Sequence, residues 1–136
     1  MSQVQEFLGR EGLKSPGLNA KGLGGASIHG AQIYFHYRDA SQLLWCGALV
    51  HRFRSRARPE VLESFRAEGK AGTDAGGGSV DYEAEAKSVF LARTYKARAA
   101  AEPFQKEMER LMDAAERWRR DVVPRVAERA FKRELK

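Results

Sequence analysis

The run Gln32-Ile-Tyr-Phe-His-Tyr-Arg38 alternates strictly, with Ile33, Phe35 and Tyr37 on one side of an extended chain and Gln32, Tyr34, His36 and Arg38 on the other. A period of two is the mark of a strand. After a short turn through Asp39, Ala40 and Ser41, Gln42-Leu-Leu-Trp-Cys-Gly-Ala-Leu-Val-His-Arg-Phe53 returns as a second strand. This one is apolar on both faces, with Leu43, Trp45, Gly47 and Leu49 in one row and Leu44, Cys46, Ala48 and Val50 in the other. Such a strand is central in its sheet or covered on both sides. An antiparallel hairpin at the heart of the fold follows.

Downstream, Pro59 suits the first turn of a helix, where its missing N–H has no partner to lose, and Glu60 complements the positive end of the helix dipole. Val61, Leu62 and Phe65 give that helix a one-sided apolar stripe ending near Gly69. Lys70 to Gly78 is a glycine-dense link, expected to be flexible, and a second hairpin follows: Ser79 to Tyr82, a turn from Glu83 to Lys87, then Ser88 to Tyr95. In its last strand the alternation is ambiguous; Phe90 and Ala92 are assigned to the helix side. Pro103 opens a long helix in which Phe104, Met108, Leu111, Met112, Ala115, Trp118 and Val122 recur at spacings of three and four, so one face must cover the sheet. Pro124 should kink or stop it near Val123. A basic amphipathic segment from Arg125 to Lys136 carries Val126, Ala130, Phe131 and Leu135 on one side.

Upstream, Ser2 to Leu13 reads as a short helix capped by Ser2, with Val4, Phe7 and Leu8 at helical spacing. Pro16 and the glycines at 17, 22, 24, 25 and 30 predict a loop, with a weak strand around Ala26 to His29. The expected organisation is a single α+β domain over residues 1–136: an N-terminal helix at 1–13, a Gly-rich loop at 14–30, a core at 31–123 and a basic C-terminal extension at 124–136. Its centre is an antiparallel sheet of two hairpins with flanking helices and a long C-terminal amphipathic helix.

Composition agrees with one globular domain: 136 residues, 43% hydrophobic and 31% charged. The longest run free of charged residues and histidine, Ala40 to Val50, is too short to span a bilayer, and the N-terminus lacks the basic start and apolar centre of a secretory signal. The single Cys46 has no cysteine partner for a disulfide or a shared zinc ion. A cytoplasmic location is expected. A net charge of +6 favours an acidic partner.

No catalytic, metal or cofactor site is expected. Gly22-Leu-Gly-Gly25 and Gly76-Gly-Gly78 lack the residues and flanking elements of phosphate-binding loops. His29, His36 and His51 have no carboxylate or cysteine cluster to join them, and nothing in the sequence would activate Cys46 as a nucleophile. The sharpest electrostatic feature is Arg52, Arg54, Arg56 and Arg58 at alternate positions. If the strand persists they form one basic stripe that could grip phosphates or an acidic peptide; the plainer reading is a charged strand edge that resists aggregation. The C-terminal cations from Arg117 to Arg133 are interleaved with Glu116, Asp121 and Glu128, as on a solvated helix face. Nucleic-acid binding through the Arg52 to Arg58 stripe and the basic C-terminal helix is the alternative function.

Over residues 2 to 122 the order of elements resembles the type III secretion chaperones of the Tir-chaperone type. The likeness rests on the Ile33 to Arg38 and Leu43 to Phe53 strands, the Pro59 to Ala67 helix, the Glu68-Gly-Lys-Ala-Gly-Thr-Asp-Ala-Gly-Gly-Gly-Ser-Val80 link, the Val89 to Thr94 strand and Ala115-Glu-Arg-Trp118 in the final helix. It implies a curved antiparallel sheet, a homodimer through the second helix and neighbouring strands, and binding of an extended segment of a client protein without catalysis. Carried onto this chain, Val61, Leu62 and Phe65 would form the dimer contact. Phe7, Leu8, Ile33, Phe35, Leu43 and Trp45 would offer apolar surface to the client. Independently of the resemblance, Arg52, Arg54 and Arg56 of the basic stripe are candidate partner contacts. Members of that family are commonly acidic, whereas this chain has a pI near 9.7; fold and partner are therefore separate questions.

Overall fold

A computed structural model describes residues 23–28, 30–38, 41–96 and 101–134. The expected N-terminal helix, with Phe7 and Leu8, lies outside them. Strands β1 (Leu23–Ile28), β2 (Ala31–Arg38) and β3 (Leu43–Arg52) are followed by helix α1 (Pro59–Lys70) and strands β4 (Ser79–Glu83) and β5 (Ser88–Lys96). Helix α2 (Ala101–Arg117), a π-helical turn (Trp118–Val122) and helix α3 (Val123–Glu134) complete the described chain. The five strands form one open antiparallel sheet in the order β1-β2-β3-β5-β4, which places the doubly apolar β3 at its centre.

One face of the sheet is the core face. Ile33 and Phe35 of β2, Leu44, Cys46, Ala48 and Val50 of β3, and Val89 and Leu91 of β5 are buried there with Phe104, Met108, Leu111 and Ala115 of α2. Phe35 meets Phe104 at 6.2 Å between ring centroids, and Tyr95 stands edge-on to Phe104 at 5.3 Å. Burying such aromatics dominates the energetics of a core this size. The β5 assignment is reversed: Val89 and Leu91 face the helices, while Phe90 lies on the opposite face, edge-on to Tyr34 and Trp45. Arg93 reaches the helix side as well, pairing with Glu107 of α2, and this polar pair at the end of a strand is what blurs its alternation.

Three further expectations are corrected. The weak strand expected around Ala26 is longer and starts earlier, running from Leu23 to Ile28 as a full edge strand on β2 in place of the expected loop. The glycine link before β4 is a packing device: Gly76, at φ +64°, lies so close to α2 that a Cβ there would sit 2.5 Å from the Arg110 carbonyl oxygen. Trp118 Nε1 donates to the Asp74 carbonyl at 2.8 Å and Arg117 pairs with the Asp74 carboxylate at 2.8 Å, which pins the link along the helix.

The boundary before Pro124 is no structural division. The helix neither stops nor breaks there; it widens into one π turn in which the Val123 N–H bonds the Trp118 carbonyl, five residues back, and continues as α3. Pro124, which has no N–H, is accommodated at the start of the resumed helix. Val122 and Val126 are buried, and α3 lies against α1.

Candidate partner-binding groove

β3 gives way to loop residues 53–58, which lead into α1, and α3 crosses beside them. Between these three elements lies an open groove of about 440 Å³. Phe53, Val61, Phe65, Val123, Val126, Ala127 and Ala130 supply its apolar walls, and His51, Arg54, Ser55, Arg56, Ala57 and Arg58 complete the lining. The floor is rigid: Phe65 is buried and stands edge-on to Phe53, which in turn meets His51 and Tyr82. Desolvation lowers the His51 pKa, so this imidazole is neutral near pH 7.

The α3 wall is held by charge. Glu68, only 6% exposed, accepts hydrogen bonds from Arg125 Nη2 at 2.8 Å, Arg129 Nη2 at 2.7 Å and Thr73 Oγ1 at 2.9 Å. Arg129 also donates to Ser64 at 3.0 Å. The Arg125 hydrogen bonds lead in holding the Glu68 carboxyl down to about 2. At the other end of the wall, the register of β3 against β5 slips between Leu49 and His51, and Arg119 caps the irregularity by donating to the Leu49 carbonyl at 2.8 Å. A bulge of this kind re-aims the strand that carries His51 and Phe53 into the groove.

The arginine stripe is broken by the end of the strand. Arg52 turns to the outer sheet face, where it donates to Tyr34 Oη at 3.2 Å and Ser88 Oγ at 3.4 Å, whereas Arg54, Arg56 and Arg58 line the groove. Arg54 and Arg56 are exposed, and neither makes an ion pair or hydrogen bond with a described residue. Several C-terminal cations are instead occupied inside the chain: Arg117 on Asp74, Arg119 on Leu49, Arg125 and Arg129 on Glu68.

The other proposed contact residues separate by burial. Ile33 and Phe35 are 0% and 1% exposed beneath the helices, so they build the core and present no surface to a partner. Phe65 is likewise buried, which leaves Val61 and Leu62 as the accessible apolar residues of the expected dimer helix. Leu43 is exposed and Trp45 half-buried on the outer sheet face, where Trp45 covers Gly47 and donates from its indole to Asp81 at 2.9 Å. His36 lies on that outer face and Cys46 in the core, with burial pushing its thiol pKa far up, so the two do not converge with His51. Among the described residues no group of His, Cys, Asp or Glu could hold a metal ion.

What the sequence reading missed is the part of the site contributed by α3. A signal was present: Trp118, Val122, Val126 and Ala130 are each four apart, a spacing longer than the α-helical period, which a π turn accommodates.

The fold recurs in solved structures. A chain of the ExsC–ExsE complex superposes with a TM-score of 0.68 over 88% of this chain and 90% of that one, at 20% sequence identity. This is a type III secretion chaperone-like fold. The same chaperone-like fold is found in the structure of the HopA1–SchA chaperone–effector complex, with a TM-score of 0.64 at 11% identity, covering 88% of this chain and 91% of that one. No family model matches the sequence, and no curated protein is similar to it at a significant level. No described helix is long and apolar enough to cross a membrane.

Proposed function

We propose that this chain is a chaperone-like, non-enzymatic binding protein that holds a segment of a client protein, and that the groove between residues 53–58, α1 and α3 is where the segment lies. The observation that carries this reading is the groove itself, an apolar trough between Val61, Val123 and Ala130 over a floor of Phe65 and Val126, on a fold whose solved neighbours come from protein complexes. Apolar concavities beside an irregular strand end are suited to an extended chain, which can place side chains in the trough and main-chain groups along the rim. The outer-face residues Leu43, Trp45 and Arg52 supply a second accessible surface for the same client. Client binding of this kind takes place without catalysis, metal or nucleotide.

A homodimer is part of the proposal, with Leu62 on the accessible side of α1 at the contact, and the cytoplasm is its proposed location. The nucleic-acid alternative loses ground because Arg117, Arg119, Arg125 and Arg129 are engaged within the chain, leaving the C-terminal helix few cations for phosphates.

The test is affinity capture from the native cells, read by mass spectrometry, with an Ala127→Trp chain as control. Ala127 is exposed on the groove wall, so the indole fills the trough without entering the core. One dominant protein held by the wild type and lost with the variant supports the reading; identical captures from both refute the groove. Light scattering of the purified chain should give twice the chain mass.

A further inference from the structure

The groove is electrostatically one-sided. Arginines 54, 56 and 58 line it, and among the described residues no Asp or Glu does. Arg54 and Arg56 are exposed and unpaired among the described residues, although the chain offers acidic side chains elsewhere and uses them to bind Arg93, Arg117, Arg125 and Arg129. The main chain beside them is equally unoccupied: Phe53 N–H bonds the Lys87 carbonyl and Ala57 N–H bonds Tyr82 Oη, but the N–H groups of Arg54, Ser55 and Arg56 reach no described acceptor. An apolar trough, two free guanidinium groups and a stretch of unpaired main chain therefore lie side by side.

Resting on the protein-binding reading above, we infer that the groove selects an extended acidic-apolar segment of its partner. Apolar side chains of the segment enter between Val61, Val123 and Ala130, above the buried Phe65 and Val126. Its carboxylates meet Arg54 and Arg56, which are suited to bidentate pairing, and its main chain bonds that of residues 54–56. A helical ligand fits less well, because its own main-chain groups are already paired and could not satisfy those at the rim. A polyanion such as nucleic acid would engage the two guanidinium groups but gain little from an aliphatic trough, and strong phosphate binding draws on many more cations.

Two fluorescein-labelled peptides test this by anisotropy against the full chain. Both carry Val and Leu at alternate positions, one with Glu between them and the other with Lys. The Glu peptide should bind and the Lys peptide should not, with affinity falling as salt is raised. Arg54→Glu/Arg56→Glu should weaken the Glu peptide about tenfold or more and transfer the preference to the Lys peptide. Ala127→Trp should remove binding of the Glu peptide. Both substituted arginines are exposed and unpaired, so the fold is retained and circular dichroism checks it.

Equal binding of the two peptides overturns the acidic preference while leaving segment binding in place. Failure of both peptides, with a client still captured from cells, overturns the extended acidic occupant; failure of both with no client captured brings down the protein-binding reading itself. Tighter binding of a labelled oligonucleotide, lost in the same double variant, assigns the rim to nucleic acid and overturns the inference. A dimer that becomes monomeric on Ala127→Trp makes the groove a contact between copies and overturns it too.

Discussion

Arg125 grips Glu68 through two hydrogen bonds, Nε to Oε1 at 3.2 Å and Nη2 to Oε2 at 2.8 Å, and so fastens α3 to α1. With Arg129 and Thr73 on the same carboxylate, Glu68 has a partner for each of its buried oxygens. Removing it leaves two half-exposed guanidinium groups without their anion and unfastens α3 from α1. Glu68→Ala should lower unfolding free energy by about 2 to 4 kcal/mol in urea denaturation. Glu63→Ala, on the exposed side of the same helix with contacts of 3.9 Å to Arg66 and Lys70, should change it by less than about 0.5 kcal/mol.

The same carboxylate makes stability depend on pH in a defined window. Its folded pKa, about 2, lies below the ordinary value of 4.5, so the unfolded chain takes up the proton first as pH falls. The contribution is whole above about 4.5 and is lost progressively on the way down to about 2, an effect on the order of 2 kcal/mol. Thermal melts of wild type and Glu68→Gln should differ at neutral pH and converge across that window. A gap that stays constant would show that Glu68 does not titrate as described.

Two glycines with left-handed backbone should respond differently to alanine. Gly72, at φ +93°, has open space where a Cβ would go, so Gly72→Ala should cost only the backbone strain, roughly 1 kcal/mol. Gly76→Ala adds a collision with the Arg110 carbonyl and the Leu111 Cα, and should cost roughly 3 kcal/mol or more. Paired denaturation curves measure the difference.

Cys46 is 0% exposed at the centre of the sheet and burial holds its thiol protonated. It should react with a thiol reagent in the native state only as fast as the sheet opens, and at once in denaturant. Rapid labelling of the folded chain would contradict a central, helix-covered β3.

The central hairpin, the Pro59 helix and the apolar stripe of α2 were legible because each is written in one local period: two for β2, and three or four for the helices. The site was only half legible. Arg54 and Arg56 and the residues Val61 and Phe65 stand within a dozen positions of one another, so the sequence already brought them near. Their partnership with Val126 and Ala130 depends on how α3 returns across α1, which is decided by Glu68 pairing with arginines 57 and 61 residues away. No local pattern encodes such a pair. The burial of Ile33 and Phe35 escapes the sequence for a related reason: alternation tells which residues share a face, and only the helix packed above tells which face is closed.

The π turn at Trp118–Val122 sets the rotational phase of everything after it. In an α-helix each residue advances about 100° around the axis, so losing a single residue from that turn would swing α3 by more than a quarter revolution. Trp118 would still be anchored on Asp74, but Arg125 and Arg129 would be carried off Glu68, and Val126 and Ala130 would leave the trough. One residue of chain length thus works as the timing mark that keeps two distant faces of the same continuous rod in step.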